Sequence, residues 1–119
     1  MELLLITGQR SFGKTTAKKL RIERPYWNIS VSNMGTDART VLQDNNFDAA
    51  IVDIYHSNGE AFNMISELSA NHPSLPVIAI SSSFSNGLME KTEMYCDSSC
   101  ICNINDNETC INAIERACK

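Results

Sequence analysis

Three groupings of residues in this chain have types and spacings that could do chemistry. The first is Asp53, a lone carboxylate that ends the run Ala49-Ala50-Ile51-Val52 and precedes the loop Ile54-Tyr55-His56-Ser57-Asn58-Gly59. In an open α/β sheet chemistry collects in the crevice at the carboxyl ends of the strands, where this carboxylate would sit. The second is Gly8-Gln9-Arg10-Ser11-Phe12-Gly13-Lys14-Thr15, which matches G-x-x-x-x-G-K-[ST] letter for letter. In a P-loop the backbone amides cradle phosphates, the lysine reaches the outer phosphates and the hydroxyl holds Mg²⁺. The third is Cys96-x-x-x-Cys100-x-Cys102, a cluster that could meet one metal ion if Cys100 and Cys102 share a strand face.

Each grouping has a plainer reading. Asp53 could be no more than a strand-end carboxylate. The P-loop match is weakened by the face Phe12, Thr16 and Leu20, spaced i, i+4, i+8, which starts a helix before Gly13. No cysteine pair has C-x-x-C spacing, and Cys110 and Cys118 fall on the inward stripe of the last helix as small hydrophobes. Cys96, on a loop, is the thiol expected to react. His56 could bend the environment of Asp53, although a loop histidine is more often solvated, and His72 belongs to a helix stop.

The elements that must position these residues are legible from periodicity. Leu3 to Ile6 reads as a buried strand, and the stretch from the turn to Arg24 as a helix closed by Pro25. Trp27 to Ser32 alternates as a second strand, and Ala38, Val41 and Leu42 mark a short second helix after Gly35-Thr36-Asp37. Ala49 to Val52 is apolar throughout, as expected of a strand covered on both faces. Ala61, Ile65 and Leu68 define a third helix, ended by Asn71-His72-Pro73, and Pro76 to Ile80 a fourth strand. Leu88 to Tyr95, after the Asn86-Gly87 break, gives a fourth helix, Ser99 to Ile104 a fifth strand, and Ile111, Ile114, Ala117 and Cys118 a last helix capped by Asp106 or Asn107. Strands alternating with helices through short connections mean a parallel sheet with helices on both faces, here a single domain over residues 1–119.

Composition sets further bounds. Hydrophobic residues make up 43% and charged ones 20%, an ordinary globular balance. No apolar run reaches the length of a membrane span, and Met1 to Ile6 reads as a strand rather than a leader, so a cytoplasmic location with reduced thiols is expected. The net charge of −4 argues against direct nucleic-acid binding. Residues 1–24 nevertheless hold six of the ten cations (Arg10, Lys14, Lys18, Lys19, Arg21, Arg24) and two of the fourteen anions. A basic first helix could face an acidic partner, while a merely solvated face is the commoner outcome.

The strand Ala49 to Asp53, the Asn58-Gly59 before the third helix and the run Leu75-Pro76-Val77-Ile78-Ala79-Ile80-Ser81 together resemble the CheY-like receiver domain of bacterial two-component response regulators, over the whole chain. The resemblance implies a flavodoxin-like (βα)5 three-layer sandwich with sheet order 2-1-3-4-5. It makes Asp53 the phosphoacceptor-like residue and Ser81 the switch hydroxyl. It also shows departures. The family's acidic pair, which holds Mg²⁺, falls on Thr7 and Gly8, or on Gly8 and Gln9 if the register shifts by one. The family's lysine falls on Asn103 and its switch aromatic on Cys100, and the loop after Asp53 is short and lacks Met-Pro. An aspartate accepts a phosphoryl group well only when a cation neutralises the converging charge, and an amide brings none.

The chain therefore reads as a degenerate, or pseudo-, receiver: not an enzyme, without a cofactor, and with Mg²⁺ binding weak or absent. It would act through a signalling protein partner or an attached output domain. The resemblance also points to a possible homodimer through the face of the fourth helix, fifth strand and fifth helix, about Leu88 to Lys119, which the acids Glu90, Glu93, Asp97, Asp106, Glu108 and Glu115 make negative. Two alternatives stay open: a working receiver phosphorylated on Asp53, and a small P-loop nucleotide-binding domain through Gly8 to Thr15.

Overall fold

Successive side chains of a strand point to opposite faces, so a strand that is apolar at every position needs cover on both sides. β1 (Glu2–Thr7) meets this condition: Leu3 and Leu5 pack into one core and Leu4 and Ile6 into another, all four fully buried. β3 (Ala49–Asp53) divides likewise, Ala49 and Ile51 to the first core and Ala50 and Val52 to the second. β2 (Asn28–Asn33), β4 (Val77–Ser81) and β5 (Ile101–Asn103) complete a five-stranded parallel sheet in the order β2-β1-β3-β4-β5. The computed structural model describes residues 1–57, 59–85 and 87–118, so Asn58, Asn86 and Lys119 lie outside the described residues.

Two helices cover one face. α1 (Arg10–Glu23) buries Gly13, Thr16, Ala17 and Leu20, and ends where Arg24 donates its amide to the Leu20 carbonyl just before Pro25. α5 (Asn107–Ala117) buries Cys110, Ile111, Ala113 and Ile114, and the Asp106 side chain caps it by accepting from the Thr109 amide at 3.1 Å. Both pack with Trp27 and Ile29 into the first core. α2 (Thr36–Asp44), α3 (Glu60–Asn71) and the short α4 (Leu88–Glu93) cover the other face, where Ala38, Leu42, Met64, Ile65 and Leu68 form the second core. Burying each Leu or Ile of these cores contributes about 1.5–3 kcal/mol relative to exposure.

Several boundaries differ from the sequence reading. The fifth strand is not Ser99 to Ile104: the Cys100 amide donates to the Asp97 carbonyl at 2.8 Å and the Ser99 amide to the Asp97 side chain, winding Ser98–Cys100 into a 3-10 turn. Cys100 and Cys102 therefore do not share a strand face. The fourth helix stops at Glu93, because the Met94 and Tyr95 amides bond three residues back, to Lys91 and Thr92. β2 starts one residue later than periodicity suggests, although Trp27 is still buried. Among the described residues no helix is long and apolar enough to cross a membrane.

Candidate functional site

Because the strands are parallel, their carboxyl ends share one edge, and Thr7, Asp53, Ser81 and Asn103 are the last residues of β1, β3, β4 and β5. In open α/β sheets this edge collects functional groups. Asp53 has no exposed surface. A buried carboxylate is tolerated only where its lone pairs are met by donors, and here each oxygen accepts two hydrogen bonds. Oδ1 accepts from the Tyr55 amide at 3.0 Å and from the His56 amide at 3.2 Å, a turn in which the side chain bonds its own backbone two and three residues on. Oδ2 accepts from the Thr7 hydroxyl at 2.7 Å and faces His56 Nδ1 at 3.0 Å.

The same turn brings the His56 ring back over Asp53. It packs between Phe12 of α1, with ring centroids 4.5 Å apart, and Tyr55, at 4.9 Å, and its side chain keeps 24% exposure. His56 is thus a half-buried partner of the carboxylate rather than a solvated loop residue. Its backbone also matters. A Cβ built on Gly8 would lie 1.8 Å from the His56 carbonyl oxygen, so the β3–α3 loop occupies the space a side chain at position 8 would need.

Ser81 and Asn103 reach the edge but not Asp53. The Ser81 hydroxyl bonds to the backbone of Ser83, donating to its carbonyl and accepting from its amide at 3.1 Å. Asn103 pairs with Ser81 in the sheet register, is exposed, and accepts from the Asn105 amide at 2.9 Å. Of the five positions flagged on the sequence, the structure joins Thr7 and Asp53 by a hydrogen bond, seats Gly8 against the loop beside them, and leaves the hydroxyl of Ser81 and the amide of Asn103 engaged elsewhere. Phe12 is a participant that the sequence did not link to this edge, and His56, weighed beside Asp53 but left as a solvated loop residue, belongs to it. The available signal was a histidine three residues after an aspartate in a tight turn.

The resemblance to receiver domains implies an Mg²⁺ site at this edge, and the residues present do not fit one. Mg²⁺ takes oxygen ligands in near-octahedral order, usually with carboxylates among them. Here one carboxylate is available, with donors already on both oxygens, the neighbouring Thr7 is neutral, and Gly8 has neither a side chain nor room for one. Among the described residues no three His, Cys, Asp or Glu side chains converge on a common point.

The P-loop alternative fails on the start of α1. The helix begins at Arg10, and the Gly13 amide, which should point at phosphate, donates to the Gln9 carbonyl at 3.1 Å. Thr15 Oγ1 donates to the Ser11 carbonyl at 3.0 Å, and Lys14 points to solvent. Gly13 is a packing residue: a Cβ there would sit 2.8 Å from both Thr7 Cγ2 and Val31 Cγ1.

All five cysteines are free thiols. Cys102 and Cys110 are buried, and Cys110 Sγ donates to the Asn103 carbonyl at 3.3 Å. Cys96 is half-buried, and loss of solvent pushes its thiol up to about 11, with Cys100 adding to the effect. Its packing against the second core and this shift both count against the expectation that Cys96 reacts readily, since the thiolate is the nucleophile. Cys110 is also raised, most of all by sharing a hydrogen bond with Cys102, then by burial.

No family model matches the chain, and no curated protein matches it. Solved structures do. A signal receiver domain of an HD domain-containing protein from Pseudomonas fluorescens Pf-5 superposes with a TM-score of 0.79 at 16% identity, over 98% of this chain and 85% of that one. A response regulator receiver domain protein from Clostridium thermocellum gives 0.77 at 13%, over 98% and 93%. The receiver domain of the Francisella response regulator 1452 gives 0.75 at 16%, over 98% and 94%. At these identities the likeness shows the fold, and the fold is that of response regulator receiver domains.

Proposed function

We propose that this chain is a pseudo-receiver, a signalling module that works by binding protein partners rather than by Mg²⁺-dependent phosphorylation of Asp53. One observation carries the reading: the buried Asp53 carboxylate is enclosed by four donors of its own chain, and the His56 carbonyl fills the space beside Gly8 where an acidic side chain would have to project. A phosphodonor would have to displace the Thr7 and His56 contacts before reaching an oxygen, and the edge offers neither an acidic pair to hold a neutralising cation nor, at Asn103, an ammonium to meet the charge that develops.

Partner contacts through α4, β5 and α5 fit this reading. Glu90, Glu93 and Glu108 are exposed there, while Asp97 and Asp106 double as caps and Glu115 is paired with Arg24. The same face could join two copies or contact an attached output domain.

The test is direct. The protein is incubated with acetyl phosphate and Mg²⁺, then weighed intact. Unmodified mass is the expected result. A stoichiometric phosphoryl adduct that disappears in Asp53→Asn would overturn the proposal and restore the reading of a working receiver.

A further inference from the structure

The charges of this molecule are segregated. α1 holds five of the ten lysines and arginines (Arg10, Lys14, Lys18, Lys19, Arg21) and one of the fourteen acids, Glu23, in a protein of net charge −4. All five cations are exposed, and among the described residues none makes an ion pair within 4 Å, whereas Arg24 and Arg39 are paired with Glu115 and Glu67. At 100° per residue, Arg10, Arg21, Lys14 and Lys18 fall within an arc of about 80°, and the stripe runs about 16 Å along the helix. Ile22 borders it with 69% exposure, and Tyr26 follows with 72%.

From this we infer that the outer face of α1 is a docking surface for a narrow acidic element of a protein, such as one helix bearing a row of carboxylates and an apolar residue that meets Ile22. Charge complementarity selects an acidic occupant. The surroundings select a narrow one. Asp37 lines the same cleft as Arg10 on one flank, and Glu108 of α5 lines a cleft with Glu23 on the other. A nucleic-acid duplex or a membrane surface, both wide and anionic, would press against those flanking acids, whereas a single helix meets the stripe alone. An exposed isoleucine also suits a protein partner better than a phosphate backbone. The inference rests on the partner-binding reading of the chain, but concerns a different face from α4, β5 and α5.

A labelled helical peptide with glutamates at i, i+4 spacing and one terminal leucine is titrated by fluorescence anisotropy with the intact protein, beside a glutamine version and a DNA duplex. Wild type should bind the glutamate peptide in preference to both, with affinity falling as salt shortens the Debye length below about 10 Å. Lys14→Glu/Lys18→Glu should bind about tenfold or more weakly, in line with the salt sensitivity of exposed charge pairs. Equal binding by this variant, equal binding of the glutamine peptide, or tighter binding of the duplex overturns the inference. If the double variant is not folded by circular dichroism, Lys14→Gln/Lys18→Gln takes its place. Neither pair touches Asp53 or its donors, so the phosphodonor result stands whatever α1 binds.

Discussion

Thr7 and His56 do for Asp53 what solvent does for an exposed carboxylate. The Thr7 hydroxyl accepts from the Gln9 amide at 3.0 Å and donates to Asp53 at 2.7 Å, tying the end of β1 to the end of β3. Removing one donor from a buried charge costs more than an average hydrogen bond, because the acceptor is left unpaired away from water. Thr7→Val keeps the shape and deletes the donor, so a loss of about 1–3 kcal/mol is expected in urea unfolding. An unchanged midpoint would mean that Asp53 finds another donor. His56→Ala should also destabilise, and should loosen the β3–α3 loop first, seen as faster hydrogen exchange at the Tyr55 and residue 56 amides that now bond to Asp53.

At the scale of elements, two glycines set how close the parts approach. Gly8 lies under a backbone carbonyl, so any side chain there must displace the loop, whereas a Cβ at Gly13 would lie 2.8 Å from methyls of Thr7 and Val31, two stiff β-branched side chains that must shift to admit it. Gly13→Ala should cost about 1–3 kcal/mol, as overpacking does. Gly8→Ala should cost more and disturb the chemical shifts of residues 54–57; a milder effect at Gly8 than at Gly13 would contradict this packing. α1 also carries a cost of its own. Arg10, Lys14 and Lys18 repel at i, i+4, each pair by about 0.2–0.5 kcal/mol in an isolated helix. Lys14→Glu alone, placed between two cations, should therefore raise the thermal midpoint slightly while weakening acidic-peptide binding. A lowered midpoint would show that Lys14 has a structural role.

At the scale of the molecule, each helical layer holds one bidentate pair among the described residues: Arg24, just past α1, with Glu115 of α5, and Arg39 of α2 with Glu67 of α3. Both are exposed enough that the two cores dominate stability. Their titration still shapes the pH profile. Glu67 is held low by its hydrogen bonds to Arg39, Asp97 by Ser99, and Asp106 by Thr109. A carboxyl depressed on folding contributes stability that is present above its unfolded value and lost as pH falls through the folded one. The Cys96 thiol behaves oppositely: raised from 9.0 to about 11, it contributes below 9.0 and loses that contribution as pH rises toward 11. The thermal midpoint should be flat across neutral pH, drop below about 4.5 and drop again above about 9. Iodoacetamide should label native Cys96 slowly at pH 8 and faster as pH approaches 11, followed by peptide mass. Fast labelling at pH 8 would show that the thiol is not shielded.

The alternation of short apolar runs with helical stripes was enough to determine a parallel α/β sheet, since a strand without a polar face admits only cover on both sides. The positions of Asp53 and Ser81 at strand ends, and the lack of an acid at Thr7 and Gly8, were equally readable. Local hydrogen bonding shifted some boundaries, as at Ser98 to Cys100, where Asp97 competes for amides that a strand would have used. What only the tertiary structure decided was the company Asp53 keeps. Thr7 is 46 residues away from it in the chain, and Phe12 meets His56 only because α1 packs beside the β3–α3 loop. Whether Gly13 faces a phosphate or a threonine methyl likewise depends on where the helix starts, and packing against β1 and β2 settles that. Periodicity reports what faces a core. It does not report which polar groups from distant segments meet at its edge, and at this edge those meetings decide what the carboxylate can do.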